Sequence, residues 1–134
     1  MASVDDCRLF RLPATADGRG ALSVAECGRD VPFPIQRVFF IYDVPAGATR
    51  GDHAHKTLHE VLVGLVGAFD VDLDDGVQRR TVRVEPGLAL HLVPWVWATQ
   101  TRFEAGTCYA VLCSATYDPS DYLRDYSAFK QAGA

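Results

Sequence analysis

The chain has 134 residues, which is enough for one domain with a single core and too short for two independent cores. The hydrophobic fraction is 49%, as in an ordinary soluble globular protein, and a formal net charge of -4 gives no reason to expect binding to a nucleic-acid backbone. No apolar run approaches the ~18 residues of a membrane span, and the N-terminus lacks the pattern of a signal peptide. We therefore predict one cytoplasmic domain over residues 1–134, with neither nucleic acid nor membrane as a partner.

Short runs rich in Val, Ile, Leu and aromatic residues follow one another along the chain, separated by Gly, Pro and Asp clusters, and this pattern predicts β-strands. In one run, Phe69, Val71 and Leu73 alternate with aspartates, so that one face enters the core and the other faces water. The predicted strands are CRLFRL, ALSVAE, QRVFFIYDV, LHEVLVGLVG, AFDVDLDD, VQRRTVRV, GLALHLV, VWATQTRF and TCYAVLCSA. About nine short strands in one small all-β domain favour a closed barrel or a two-sheet jelly roll, because closure removes exposed edges.

The last segment, residues 118–134, has a different pattern. Pro119 lies between Asp118 and Ser120, either of which can cap a helix, and Tyr122, Tyr126 and Phe129 recur at helical spacing. We therefore predict a short C-terminal helix, or a tail that lies on the barrel.

Three of the four histidines lie within residues 53–59. From Gly47, His53 follows after five residues, His55 after one more, Glu60 after four and Gly67 after six. This spacing resembles the first sequence motif of the cupin superfamily at every fixed position. Two histidines that are two residues apart on a strand face the same way, so both rings and the Glu60 carboxylate can converge inside a barrel.

Two imidazoles and one carboxylate are a ligand set for non-haem iron or a related metal. The second cupin motif usually adds a histidine a few residues after a proline, but here Pro94 is followed by Ala98 and Thr99 at the matching positions. The fourth ligand is therefore missing. A metal site and an exposed loop without function both stay open as interpretations of the histidine pair. Without a metal, imidazoles whose pKa lies near ~6.5 can act as acid and base at neutral pH, as an isomerase requires.

The phrases "IYDVPAGATRGDHAHK", "FDVDLDDG" and "YDPSDYLRDYSAF" resemble the dTDP-sugar 3,4-ketoisomerase family, also called WxcM-like or FdtA-like, over residues 41–129. The resemblance implies a jelly-roll cupin barrel, usually a homodimer, that converts dTDP-4-keto-6-deoxyglucose into a dTDP-3-keto-6-deoxyhexose without a metal or other cofactor. It also implies that the catalytic pair is His53 and His55. We assign His53 as the base at C3 and His55 as its proton-relay partner, with an enediol between substrate and product.

Five further residues are candidates for binding the dTDP-linked ketosugar. By the resemblance, Arg50 could hold an enediolate or a diphosphate oxygen, and Tyr42 could hydrogen-bond the sugar. Trp95 and Trp97 could stack on thymine, and Lys56 could contact a phosphate. Each candidate also has an alternative without a role in binding. Arg50 could form a surface salt bridge, Tyr42 could be a core residue, both tryptophans could pack in the core or at a dimer interface, and Lys56 could be a solvated charge.

The chain departs from the family pattern at two places. The family commonly has glutamine where this chain has Glu60, and a polar or charged pair where it has Ala98 and Thr99. We expect Glu60 to face the substrate, and both departures leave the identity of the substrate open. The alternative functions are a metal-dependent cupin enzyme that uses His53, His55 and Glu60, and a non-catalytic protein that binds sugar nucleotides.

Overall fold

A computed structural model describes residues 2–133. Its strands are β1 (Arg8–Arg11), β2 (Ala14–Asp17), β3 (Gly20–Ser23), β4 (Arg37–Ile41), β5 (Arg50–His55), β6 (Glu60–Val66), β7 (Phe69–Asp74), β8 (Arg79–Val84), β9 (Leu88–Leu92), β10 (Trp97–Thr101), β11 (Cys108–Cys113) and β12 (Tyr122–Leu123). Two 3-10 turns cover Val4–Asp6 and Pro119–Asp121, and helix α1 covers Tyr126–Ala132.

Ten of these strands form two antiparallel sheets. The first sheet has the order β1-β9-β6-β11-β4, and the second has the order β12-β5-β10-β7-β8. The predicted all-β jelly roll is therefore confirmed. In the backbone pairing of residues 2–133 the two sheets stay separate, so the architecture is a jelly-roll-like sandwich and not a closed barrel.

The main core lies between the two sheets. Phe69, Val71 and Leu73 of β7 are buried there, as their alternation with aspartates predicts, and they belong to one cluster with Leu62 of β6 and Val111 of β11. At roughly 25 cal/mol per Å² of apolar surface removed from water, such side chains provide the main stabilisation of the sandwich. The inner faces of the sheets are thereby fixed, and the polar side chains that also point inward become the candidates for function.

Each of the nine predicted runs overlaps an observed strand, but β2, β5 and β12 lie in none of them, although the histidine spacing had already placed His53 and His55 on a strand. Strand β5 has the polar sequence RGDHAH and shows no apolar run. Strand β2 has the sequence ATAD and is exposed along its whole length, so it has no apolar alternation to reveal it. It pairs only with β3, in a hairpin outside the two sheets. Strand β12 has two residues, and its pairing with β5 comes from tertiary contact.

The C-terminal prediction is right for the helix and wrong for its start. Helix α1 begins at Tyr126, after Asp125 caps it by accepting a hydrogen bond from the Ala128 amide. Tyr122 is not part of the helix, because it pairs with β5 as a strand residue. Phe129 is buried and packs the helix against the outer face of the second sheet. Within the described chain, no helix has both the length and the apolar character to cross a membrane.

Candidate active site

A cavity with a volume of about 340 Å³ lies between the two sheets and is lined by β4, β6 and β11 on one side and β5, β10 and β12 on the other. This volume is within the range of small-molecule sites, roughly 300–1,000 Å³. Three arginines line the cavity, namely Arg37, Arg50 and Arg124, together with His53 and the carboxyl group of Glu60. The lining is therefore suited to an anionic ligand that meets an acid and a base.

A β-bulge directs Arg50 into the cavity. In the pairing of β5 with β10, His53 lies opposite Ala98 and Gly51 lies opposite Thr99, so that Asp52 is an extra residue between them. Strict alternation from His53 would turn Arg50 to the outer face, since neighbouring side chains point to opposite sides. The bulge reverses this phase, and Arg50 lines the same cavity as His53.

His53 has the geometry of a general base. Its Nδ1 lies 2.9 Å from the carbonyl oxygen of Gly51. Because a carbonyl oxygen can only accept, Nδ1 carries the proton and Nε2 keeps a free lone pair. Burial lowers the pKa of His53, and the charge of Arg124 lowers it further, against the opposing effect of the Gly51 hydrogen bond. The imidazole is therefore neutral at pH 7 and able to accept a proton.

His55 is buried behind His53 and lies between two carboxyl groups. Its Nε2 is 3.6 Å from Oε1 of Glu60, and its Nδ1 is 3.3 Å from Oδ2 of Asp121. Both separations exceed an ideal hydrogen bond, and neither ring nitrogen has a hydrogen-bond partner among residues 2–133. Burial lowers the pKa of His55 to about 4, and the neighbouring His53 acts in the same direction. This ring is also neutral at pH 7.

Glu60 differs from an ordinary glutamate because it is buried at the start of β6, with 8% of its surface exposed. Burial raises its pKa to about 7, although the charge of Arg37 opposes this shift. A carboxyl group with that pKa holds its proton in part of the molecules at neutral pH. The cavity therefore contains a neutral base, His53, and a carboxyl group that can donate a proton.

Asp121 completes the polar cluster around His55, although nothing in its sequence pattern predicted it as a site residue. Its carboxylate accepts hydrogen bonds from the Thr57 hydroxyl (2.7 Å), the Thr57 amide (2.9 Å) and the Leu58 amide (3.1 Å). Burial by itself would raise the pKa of Asp121, but these hydrogen bonds outweigh it and hold the pKa below the ordinary value. Asp121 is therefore ionised at the back of the site.

The ligand set predicted for a metal does come together. Nitrogen atoms of His53 and His55 and an oxygen of Glu60 lie within 4.8 Å of one another. Ala98 lies opposite His53 in the backbone pairing and offers no donor atom from its side chain. These residues could supply three ligands to a transition metal, which is the arrangement that the metal-dependent alternative requires.

The other four predicted binding residues lie outside the cavity of this chain. Tyr42 follows β4 and is 66% exposed, and the exposed Lys56 donates a hydrogen bond from Nζ to the Ser120 carbonyl oxygen. Trp97 is buried on the outer face of the second sheet, where Trp95 packs against the same cluster. The structure thus brings together Arg50, His53, His55 and Glu60. Substrate-binding roles for Tyr42, Lys56 and the tryptophans stay predictions.

The cavity also has aromatic walls that sequence reasoning did not assign. Phe39, Tyr109 and Tyr122 line it, and the Tyr109 hydroxyl donates a hydrogen bond to Oε1 of Gln100 at 3.3 Å. Phe39 could have been found from the sequence, because Arg37 and Phe39 are two residues apart in the strand RVFFI and therefore point to the same face. For Tyr122 the only indication in the sequence was its place in the C-terminal phrase YDPSDYLRDYSAF, which resembles the family.

The fold and the cavity together define a cupin-type enzyme with acid/base residues between two sheets. A family model described as "FdtA: WxcM-like, C-terminal" matches residues 5–133, and the chain belongs to this family. This confirms the resemblance to the dTDP-sugar ketoisomerases.

Three relatives illustrate the similarity. The TDP-4-oxo-6-deoxy-alpha-D-glucose-3,4-oxoisomerase of Aneurinibacillus thermoaerophilus is 40% identical over 116 residues, which are 86% of this chain and 84% of that protein. A His-to-Asn variant of the 3,4-ketoisomerase QdtA from Thermoanaerobacterium thermosaccharolyticum, in complex with TDP-4-keto-6-deoxyglucose, gives a TM-score of 0.94 at 32% identity, covering 98% of this chain and 96% of the other. The TDP-quinovose 3,4-ketoisomerase WlaRB of Campylobacter jejuni gives a TM-score of 0.90 at 33% identity, covering 96% and 99%.

Proposed function

We propose that this chain is a dTDP-sugar 3,4-ketoisomerase that converts dTDP-4-keto-6-deoxyglucose into a dTDP-3-keto-6-deoxyhexose. One observation carries the proposal: a neutral His53 with a free Nε2 shares an arginine-lined cavity with the raised-pKa carboxyl group of Glu60. The relatives described above, which are named as 3,4-ketoisomerases or oxoisomerases, support it.

The reaction needs only proton transfers. Nε2 of His53 takes the proton from C3, which the neighbouring C4 ketone makes acidic, and the electrons of that C–H bond form a C3=C4 double bond. The C4 oxygen takes a proton from the Glu60 carboxyl group and becomes the second hydroxyl group of an enediol. The C3 hydroxyl then returns a proton to the Glu60 carboxylate as C3 becomes the ketone, and the His53 imidazolium gives a proton to C4. Atoms and electrons balance, so the product is an isomer and no oxidant or reductant takes part.

The charged lining of the cavity fits a nucleotide diphosphate sugar. Guanidinium groups bind phosphate oxygens in a bidentate manner, and Arg37, Arg50 and Arg124 all reach this one cavity. The same charges would stabilise an enediolate as it forms. The rings of Phe39 and Tyr122 offer flat surfaces for the thymine base.

We also propose that the protein is a homodimer that uses the outer face of β4. This strand lies at the end of the first sheet, and on its outer side it has no further strand partner among residues 2–133. Val38 and Phe40 of β4, and Tyr42 directly after it, are two residues apart from one another and are 45%, 58% and 66% exposed. An exposed apolar edge strand is a surface that proteins normally cover, and a second copy would cover it symmetrically.

The proposal extends to a single cupin domain over residues 1–134 that acts in the cytoplasm. The support for the cytoplasm is that Cys7, Cys27, Cys108 and Cys113 are all free thiols, a state that a reducing compartment maintains.

The deciding experiment is proton NMR of dTDP-4-keto-6-deoxyglucose in D2O with chelator-treated protein, and with a protein-free sample as the control. We expect a 3-keto product with deuterium at the carbon that is reprotonated, and the coupling constants of that product will give the configuration at C4. Turnover only after metal is restored would instead support the metal enzyme built on His53, His55 and Glu60. Binding of the nucleotide sugar without turnover in either condition would support the non-catalytic alternative.

A further inference from the structure

The contact between β5 and β12 gives His55 a partner that the catalytic scheme above does not use. Tyr122 pairs with His55 across the two strands, and this pairing brings the preceding residue, Asp121, beside the imidazole. Oδ2 of Asp121 lies 3.3 Å from Nδ1, while Oε1 of Glu60 lies 3.6 Å from Nε2 on the opposite side of the ring. Each ring nitrogen of this buried histidine therefore faces a different carboxyl group.

Asp121 is held firmly in this position. Three hydrogen bonds, from the Thr57 hydroxyl and from the amides of Thr57 and Leu58, fix its carboxylate on the segment that directly follows β5. The Lys56 amide also donates to the Asp121 carbonyl oxygen at 3.0 Å. The carboxylate is therefore a fixed negative charge and not a mobile surface group.

A fixed carboxylate decides between the two neutral forms of His55. If Nε2 carried the proton, the lone pair of Nδ1 would point at a negative charge 3.3 Å away in a buried site. If Nδ1 carries the proton, that nitrogen can donate to Asp121, and the lone pair of Nε2 faces Glu60. The second form places an N–H group, and not a lone pair, beside the Asp121 carboxylate.

We propose that Asp121 is a positioning residue that holds His55 in the Nδ1–H form and directs Nε2 at Glu60. In that form His55 can accept the Glu60 proton: the O–H bond of Glu60 breaks, an N–H bond forms at Nε2, and Nδ1 keeps its own proton toward Asp121. The resulting imidazolium lies between two carboxylates, and the reverse transfer restores the neutral pair. The contribution of this relay to catalysis rests on the proposed ketoisomerase function, but the form of His55 in the free protein does not.

The first test is NMR of the free protein with 15N-labelled histidine, which distinguishes protonated from unprotonated ring nitrogens. Comparison with the His55→Gln spectrum assigns the His55 signals. We expect a protonated Nδ1 and an unprotonated Nε2 in the unchanged chain, and a mixed or reversed form in Asp121→Asn, whose amide can donate to Nδ1. A protonated Nε2 in the unchanged chain, or the same form in both proteins, would overturn the proposal. This measurement uses no substrate, so it stands even if the ketoisomerase assay fails.

The second test compares turnover of the nucleotide ketosugar. We expect Asp121→Asn to lower kcat by about 10²-fold or more with KM changed by less than about threefold, as for other residues that orient a catalytic histidine. Asp121→Glu should recover part of kcat because it keeps the carboxylate. The matched control is Asp118→Asn, since the exposed Asp118 caps the same 3-10 turn and should leave kcat within about threefold. Unchanged kcat in Asp121→Asn, or an equal loss in Asp118→Asn, would overturn the relay.

Discussion

Nδ1 of His53 lies 2.9 Å from the carbonyl oxygen of Gly51, and this contact leaves Nε2 as the only basic atom of the ring. The two residues belong to the same strand, on either side of the bulged residue Asp52. The local backbone therefore fixes both the orientation and the protonation of the proposed base.

Replacement of His53 by asparagine should remove the base and leave the fold intact. We expect kcat to fall by about 10²- to 10⁴-fold, the range that general-base catalysis contributes. The control is His59→Asn, because His59 lies on the other face of its segment and contacts His91, with Nδ1 to Nε2 at 3.0 Å. Turnover of the ketosugar by His53→Asn within threefold of the unchanged enzyme would contradict the assignment.

Gly51→Ala should destabilise the protein and misplace the base. Gly51 has a φ of +85°, and a methyl group there would lie 2.8 Å from the Ala98 carbonyl oxygen. Gly76→Ala is the matched control, since Gly76 has a φ of +92° but no atom within 4 Å of such a group. Both variants carry the cost of a positive φ, about 1–2 kcal/mol, and only Gly51→Ala adds a clash with backbone. Denaturant unfolding should therefore show the larger loss for Gly51→Ala; equal losses would mean that the bulge relaxes.

Glu60→Gln should change how stability depends on pH. The pKa of Glu60 is about 7 in the folded protein, above its ordinary value of 4.5, so the folded state binds more protons than the unfolded state between these values. Its contribution to stability is fully present below pH 4.5 and is lost as the pH rises through 7. His55 acts in the opposite direction, because its pKa is lowered from 6.5 to about 4.

The comparison at each pH should therefore isolate Glu60. We expect the two proteins to be equally stable near pH 4.5, and the glutamine variant to gain stability relative to the unchanged protein as the pH rises, up to about 3 kcal/mol above pH 7. Urea unfolding across this range measures the difference. A difference that does not vary with pH would show that Glu60 ionises normally.

Phe40→Asp should convert the proposed homodimer into a monomer. The substitution places a charge in the middle of the exposed apolar face of β4, where desolvation would be unfavourable. Light scattering after size exclusion should give half the mass of the unchanged protein. Val77→Asp is the control, because Val77 is 88% exposed, lies outside β4 and should leave the mass unchanged. A single mass for all three proteins would rule out this face as the interface.

The sequence predicted those features that depend on local pattern. Alternation of apolar and polar residues was enough to place most strands, and Phe69, Val71 and Leu73 are buried as predicted. Strand periodicity was enough to place His53 and His55 on one face of a strand, and the resemblance to the cupin motif predicted that Glu60 would meet them, as it does.

Only the tertiary structure decided which other residues reach the site. The bulge at Asp52 turns Arg50 inward against the expected alternation, and it depends on how β5 pairs with β10. Asp121 lies beside His55 because the two-residue strand β12, which directly follows Asp121, pairs with β5. Trp97 lies on the outer face of the second sheet, where it packs with Phe129 of the C-terminal helix. Local sequence determines the direction of a side chain within a strand, whereas strand pairing and register, which are nonlocal, determine what it meets.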